Sequence, residues 1–396
     1  MAHRVNGPQK IGTNLTDRKG RKLSKRFDPA ALRRIVIKLG SSTIIQPDGV
    51  VRLGFLGKLA TTIYRLHQRD LQVVLVSSGA VALGRKKLGM EKRPVHIEDK
   101  QACAAAGQME LMSLYQNMLS TLALQTGQVL LTRDDLEDRR RYLNARETLN
   151  RLLELGVVPI INENDSVSVD EIQFGDNDEL SALVSGLVDA DLLVLLTNVN
   201  GLYDSNPETN PDAKLIETID KTADEYFDCV DNRETQLGKG GMRTKLGAAQ
   251  ICRSFGIPCV IARGKGSVLE KVLKGEPAGS YVEPLPCRVC SRDRWLAKAA
   301  AVQGSVTLDA GAVDALTKHG KSLLPKGIVR VEGSFIRGAV LALLDEQGHE
   351  IGRGIARYNS RDLPRIIGKY GGEIESILGY SFGDCVIRQD DIAFTH

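Results

Sequence analysis

Apolar residues along this chain fall into short continuous runs that alternate with stretches of helical spacing. The first run, Arg33 to Gly40 (RRIVIKLG), predicts a strand closed by a lysine and a glycine turn. Val51 to Gln68 then carries Leu53, Leu56, Leu59, Ile63 and Leu66 near the period of an amphipathic helix. Gln72 to Val76 predicts a second strand, running into Ser77-Ser78-Gly79-Ala80 and another helix. Ala102 to Leu124 predicts a long helix, Gln128 to Leu131 a strand, Tyr142 to Leu155 a helix and Val157 to Ile161 a strand. Asp191 to Thr197 (DLLVLLT) is the most continuous apolar strand; a helix over Met242 to Phe255 and a strand over Pro258 to Ile261 follow. Strands without period-2 alternation are buried on both faces, and strands alternating with helices build a mainly parallel sheet. The expected class is α/β, a mainly parallel open sheet sandwiched by helices over residues 32–283.

Around Pro284 and Pro286 the pattern breaks, and residues 284–302 read as a linker. Beyond it the runs Ser305 to Leu308, Gly327 to Val331, Val340 to Leu344 and Ile351 to Tyr358 are split by Gly-rich turns, the pattern of a small β-rich domain over 303–396. Residues 1–31 read as a disordered basic extension.

Composition adds bounds. A 396-residue chain exceeds one ordinary domain, and 42% hydrophobic with 26% charged residues is ordinary for a soluble globular protein. Much of the +4 net charge sits near the start, in RKGRKLSKR from Arg18 to Arg26, which reads as a solvated tail rather than a nucleic-acid arm. It lacks the apolar core of a signal peptide, and no run reaches membrane-spanning length, so no membrane role is expected. Seven cysteines in such a chain argue for reduced thiols and a cytoplasmic setting. Cys287 and Cys290 form one CxxC with no second pair at zinc-site spacing, a coincidence within the linker. There is no P-loop: Gly320-Lys321-Ser322 lacks the first glycine, where Ala315 stands, and no GxGxxG follows a strand.

The candidate chemistry centres on Ile161 to Ala182 (INENDSVSVDEIQFGDNDELSA). Asn162, Glu163, Asn164 and Asp165 fall at the carboxyl end of a predicted strand, where open α/β sheets bind ligands. Gly175-Asp176-Asn177-Asp178 precedes an apolar helix; a polar loop with an N-cap accounts for part of this, but not for two acid-amide clusters on one connection. Lys38, at a strand end before Gly40, suits phosphate neutralisation. Gly238-Lys239-Gly240-Gly241-Met242-Arg243-Thr244-Lys245 feeds glycines into a helix start, whose free amides favour anions. Lys245, on that first turn, opposes the helix dipole and is misplaced without an anionic ligand.

These motifs resemble the amino acid kinase family. IVIKLGSS, Ile35 to Ser42, looks like its nucleotide-phosphate motif; Val76 to Ala80 looks like its glycine-rich acceptor turn; Thr197 to Tyr203 resembles its adenine-side segment. Asn198 and Asn206 stand where the family usually has Asp, and Lys239 where it has a small hydroxyl residue. INEND and GDND single out the glutamate 5-kinases, and Lys321 to Ser360 is similar to the PUA domain appended to the bacterial ones. The resemblance implies ATP-dependent phosphorylation of the γ-carboxylate of L-glutamate, the first step of proline biosynthesis, with proline as feedback inhibitor and a homodimer or tetramer. It implies catalytic roles for Lys38, Lys245 and Asp178. Ser78, Asp165 and Asn177 would bind glutamate. ATP would lie on Lys38, Thr197, Asn198, Lys239, Gly240, Gly241, Met242, Arg243, Thr244 and Lys245, with Mg²⁺ on its phosphates and no protein metal site. The motifs contain no histidine; a carboxylate acceptor is already ionised and needs no general base. Two alternatives stand beside this: another acid or phosphate kinase of the same fold, or an RNA-binding or nucleotide-sensing protein. For the latter, Arg353, Arg357, Arg361, Arg365 and Lys369 would form a basic face, though aromatic stacking residues are sparse there.

Overall fold

The computed structural model describes residues 26–167, 177–207, 209–220, 241–285 and 301–394, together with 15–16, 22–23 and 226. The N-terminal domain is built on an open sheet. Its strands are β1 (Arg34–Leu39), β2 (Gln72–Ser77), β3 (Thr126–Leu131), β4 (Val158–Glu163), β5 (Leu192–Thr197), β6 (Thr218–Ile219), β7 (Cys259–Arg263) and β8 (Ser280–Val282). Across the sheet they lie in the order β3-β4-β2-β1-β5-β7-β8-β6. The core pairs are parallel, and only β8 runs antiparallel to β7 among the described residues. The sheet is therefore mainly parallel, as the unbroken apolar runs require. Strands β6 and β8 are two and three residues long, too short for a hydrophobic pattern to register.

The longer helices of this domain are α1 (Leu53–His67), α2 (Ala80–Lys87), α3 (Ile97–Ser120), α4 (Arg139–Glu154), α5 (Asn177–Leu187), α6 (Met242–Ser254) and α7 (Val268–Leu273). Each strand feeds two cores through its period-2 pleat. Val36, Val74, Val76, Ile161, Leu193 and Leu195 join residues of α4, α5 and α6 on one face. Ile35, Ile37, Leu39, Val73, Leu75, Ile160, Leu192, Val194 and Leu196 join residues of α1, α3 and α7 on the other. From β1 the sheet is built outward through β2, β4 and β3, and the chain then returns to pair β5 on the other side of β1. That reversal opens a crevice at the carboxyl ends of β1 and β5.

Helix α3 and strand β4 depart from their expected bounds in instructive ways. Helix α3 begins at Ile97, with Glu98 and Asp99 in its first turn suiting the dipole. It stops at Ser120, where Ala123 takes a left-handed φ of 57° and Leu124 N–H turns back onto the Leu119 carbonyl. Strand β4 runs through Asn162 and Glu163, which pair with Leu130 and Leu131 of β3; both polar residues are part of the sheet. The basic segment Arg18 to Arg26 lies mostly outside the described residues, as do Cys287 and Cys290. Arg26 itself donates to the carbonyls of Ala278, Gly279 and Glu217.

The C-terminal strands are β9 (Val302–Leu308), β10 (Ile328–Gly333), β11 (Val340–Leu344), β12 (Glu350–Ile355) and β13 (Ile392–Phe394). They form a separate sheet in the order β10-β9-β11-β12-β13, over a core that includes Leu308, Leu341, Tyr358 and Ile366. Val340 and Ala393 instead extend the apolar cluster of the first domain. Of the arginines considered for a basic face, Arg353 pairs with Glu350 and Arg365 donates to the Ile377 carbonyl.

Helices α2 and α3 touch backbone to backbone through glycine. A Cβ at Gly107 would fall 1.8 Å from the Ala80 carbonyl oxygen and 2.4 Å from the Gly84 nitrogen. Backbone cannot yield as a side chain can, and overpacking costs about 1–3 kcal/mol or more. Gly107→Ala should therefore lower the Tm by roughly 5 °C or more. Gly57→Ala on α1, where a Cβ would meet only Met118 Cε at 3.9 Å, should be neutral or mildly stabilising. Thermal unfolding of both variants checks the contrast; equal shifts would mean α2 and α3 are not in this close contact.

Candidate active site

Lys38 is the fifth residue of β1 and shares the pleat phase of Val36, so its side chain lies on the face that carries α5 and α6. A one-residue register slip would send it to the opposite face. Asp178 lies in the first turn of α5, where a carboxylate suits the dipole. Lys245 lies near the start of α6, after Gly241, whose position has no side-chain cap. The three meet. Lys38 Nζ is 2.7 Å from Asp178 Oδ1, and Lys245 Nζ is 3.0 Å from Asp178 Oδ2. Thr244 Oγ1 also donates to Oδ2 at 2.9 Å, and Lys245 Nζ reaches the Gly241 carbonyl at 3.3 Å. Lys38 is 1% exposed, Asp178 0% and Lys245 7%.

Burial alone would push the Asp178 carboxyl upward. The charges and hydrogen bonds of Lys38 and Lys245 outweigh it and hold the group well below the usual carboxylate range. A buried, ionised carboxylate thus grips two ammonium groups at the carboxyl edge of the sheet. Such a pair of fixed cations is suited to an anion that gains charge during a reaction.

Beside this charged cluster stands a neutral one. Gly79, with φ of 117°, turns the chain from β2 into α2, a conformation that needs glycine. Asn177 Nδ2 donates to Ser78 Oγ at 2.9 Å, to the Ser77 carbonyl at 3.3 Å and to Asn162 Oδ1 at 2.8 Å. Asn162 Nδ2 in turn donates to Gln108 Oε1 of α3 at 2.9 Å. Ser77 Oγ bonds the buried Tyr115 hydroxyl at 2.8 Å, and burial pushes that phenol up, so Tyr115 stays neutral. Asp165 lies partly buried in the turn just after β4.

The structure brings Lys38, Asp178 and Lys245 together, and Ser78 and Asn177 together. Thr197 ends β5 in the pleat phase of Leu193 and Leu195, and its hydroxyl donates to Asn198 Oδ1 at 3.2 Å. A cleft of about 510 Å³ opens beside them, lined also by Ser42, Thr43 and Arg263. Gly241, Met242 and Arg243 start α6; Lys239, Gly240, Gly175 and Asp176 lie outside the described residues. Sequence reasoning missed Thr244 as a partner of Asp178, and missed Gln108 and Tyr115. Gln108 and Tyr115 are seven residues apart on one helix, about two turns, with Leu111 between them in the core. A polar side chain interrupting an apolar stripe was the available signal. Among the described residues no three Asp, Glu, His or Cys side chains converge on a point that would hold a metal ion.

The sequence model of the amino acid kinase family matches residues 33–263, and that of the PUA domain matches 304–378. The chain is 47% identical over 361 residues to the glutamate 5-kinase of Moorella thermoacetica, covering 91% of this chain and 96% of that one. It is 45% identical over 362 residues to the glutamate 5-kinase of Geobacter sp. strain M21, covering 91% and 97%. Among solved structures it is similar to a UMP kinase from Bacillus anthracis, with a TM-score of 0.44 at 14% identity over 64% of this chain and 96% of that chain.

Asp178→Asn would leave two buried ammonium groups around a neutral amide. Removing one partner of a buried pair costs about 3–5 kcal/mol, so unfolding in urea at neutral pH should show a loss of that order. The folded carboxyl titrates below its unfolded value of about 3.9, so its stabilisation is complete above that pH and is lost as pH falls toward the folded value. The gap between wild type and Asp178→Asn should narrow at about pH 3. A gap of the same size at both pH values would mean that the carboxyl is not held ionised by the lysines.

Proposed function

The chain belongs to the amino acid kinase family and, within it, to the glutamate 5-kinases, and from that premise we propose how its site works. The γ-phosphoryl group of ATP passes to the side-chain carboxylate of L-glutamate, giving γ-glutamyl phosphate and ADP. The observation that carries this reading is the buried Lys38–Asp178–Lys245 bridge, set beside the Ser78–Asn177 cluster.

In the proposed step a glutamate γ-carboxylate oxygen attacks the γ-phosphorus of ATP. A new P–O bond forms, the bond to the bridging β,γ-oxygen breaks, and its electron pair leaves with ADP. Glutamate is ionised at neutral pH, with a reference pKa of about 4.3, so no residue need remove a proton. Phosphoryl transfer then calls for alignment and charge stabilisation. Lys38 and Lys245 would meet the charge on the transferring group and the leaving oxygen, while Asp178 and Thr244 keep the two ammonium groups from wandering. Mg²⁺ would ride on the nucleotide phosphates, as that ion usually binds through substrate phosphates rather than an all-protein cage.

Ser78, Asn177 and Asp165 would hold glutamate, with Asp165 facing the α-ammonium. Adenine would lie near Thr197 and Asn198. Proline carries the α-carboxylate and ring ammonium of an amino acid but no side-chain carboxylate. It would compete for the same α-substituent contacts, giving inhibition competitive with glutamate.

The direct test is ADP release with glutamate, aspartate, acetylglutamate or UMP as acceptor, with hydroxylamine to trap an acyl phosphate. Glutamate-dependent hydroxamate is expected; turnover with another acceptor in its place would overturn the reading. Lys38→Ala and Lys245→Ala should each lower kcat by about 10²–10³ while the protein stays folded. Either variant keeping more than about half of wild-type kcat would take that lysine out of the phosphoryl site. Asp165→Ala should chiefly raise the glutamate KM and leave the ATP KM nearly unchanged. The reverse pattern would move Asp165 to the nucleotide side.

A further inference from the structure

Helix α3 buries Leu111, Tyr115 and Leu119 against the sheet. Gln108 continues that stripe one turn earlier, where an apolar residue would pack at less cost. Its position is imposed by backbone: Gly107 next to it lies against Ala80 and Gly84 of α2 with no room for a Cβ. From there Gln108 Oε1 accepts from Asn162 Nδ2.

An amide has one donating and one accepting end, so each bond in a chain of amides fixes the next. Asn162 spends its Nδ2 on Gln108 and must present Oδ1 to Asn177. Asn177 must then present Nδ2, the same group that reaches Ser78 Oγ and the Ser77 carbonyl. Two ends remain. Among the described residues Asn177 Oδ1 and Gln108 Nε2 are both buried with no hydrogen-bond partner, and Asn177 is 7% exposed. Leaving such groups unsatisfied costs about 1–3 kcal/mol each, so a native chain that keeps both has reason to have them satisfied by what it binds. A free acceptor such as Asn177 Oδ1 suits an ammonium, and an α-amino acid carries one.

We propose that Gln108 is a positioning residue of the acceptor site: by fixing Asn162, it orients Asn177 so that Oδ1 is offered to the α-ammonium of the substrate. The proposal rests on the glutamate reading above. Gln108 sets recognition of the amino acid's α-ammonium rather than the phosphoryl chemistry, which belongs to Lys38 and Lys245.

The test uses the full-length chain with Gln108→Met, which keeps length and removes both polar ends. Glutamate KM should rise roughly 10–100-fold, the effect expected of one lost oriented bond in a buried site, with ATP KM unchanged within about twofold. Glutarate, which is glutamate without its ammonium, should compete as weakly against the variant as against wild type. The double variant Gln108→Met/Asn162→Ala should be little worse than Asn162→Ala alone, since the first residue acts through the second. If Gln108→Met fails to fold, Gln108→Ala, a good helix former without added bulk, is read in the same way. Three results would each overturn the proposal: an unchanged glutamate KM, a parallel rise in the glutamate, glutarate and ATP constants, or strictly additive effects with Asn162→Ala. A wild-type chain showing no glutamate-dependent ADP release would remove the acceptor reading itself, and the variants need not be made to see it.

Discussion

A carboxylate with no solvent exposure, held between two lysines, is the constraint on which the candidate site depends. Taking any of these groups out of water is expensive, and mutual attraction repays the cost only when the geometry is close. At 2.7 and 3.0 Å to its two oxygens, Asp178 fixes Lys38 from the central strand and Lys245 from a helix far along the chain. The bridge therefore ties three separate segments together: β1, the start of α5 and the start of α6. Each contributes through an ordinary feature of its element. The strand contributes pleat phase, and the two helices contribute first-turn positions at the carboxyl edge of the sheet.

The pleat also divides the work of the site. Lys38 shares the phase of Val36, and Thr197 shares that of Leu193 and Leu195, so both belong to the face of α5 and α6. Ser77 and Asn162 follow Leu75 and Ile160 to the opposite face, where α3 supplies Tyr115 and Gln108. Asn177, at the start of α5, reaches across the strand ends to join the two sides. Neighbouring positions on one sheet edge thus enter different environments, one charged and one built of neutral amides and hydroxyls.

Much of this was legible in the sequence because it rests on local pattern. Continuous apolar runs gave the buried parallel strands, and glycine turns after Lys38 and Ser78 marked the ligand edge. A lysine at the wrong end of a helix dipole, Lys245, pointed to an unseen negative partner, and Asp178 is at least one such partner. What was not legible depends on contacts distant in sequence. Strands β6 and β8 are too short to carry a period. Asn162 and Glu163 looked like loop because they are polar, whereas pairing with Leu130 and Leu131 draws them into β4. For Gln108 the break in the apolar stripe of α3 was the one local hint, and the approach of α3 to α2 through Gly107 and Gly84 fixes the side of the helix it occupies.

The separation of charged and neutral clusters has a physical logic for a phosphoryl transfer to a carboxylate. Charge that shifts along the reaction path gains most from fixed ions in a dry site, because those interactions strengthen as the bond to the leaving group breaks. The acceptor's α-carboxylate and α-ammonium do not change charge during the step. Contacts to these groups contribute equally before and during the reaction, so they set affinity and selection rather than rate. Amides can share that task with a carboxylate such as Asp165, and their fixed polarity discriminates direction as well as presence: an acceptor end cannot serve a carboxylate, nor a donor end an ammonium. In the proposed site, a relay of amides anchored on a rigid helix would help choose the substrate while placing no further charge of its own near the lysines, where it would compete with the phosphoryl group for them.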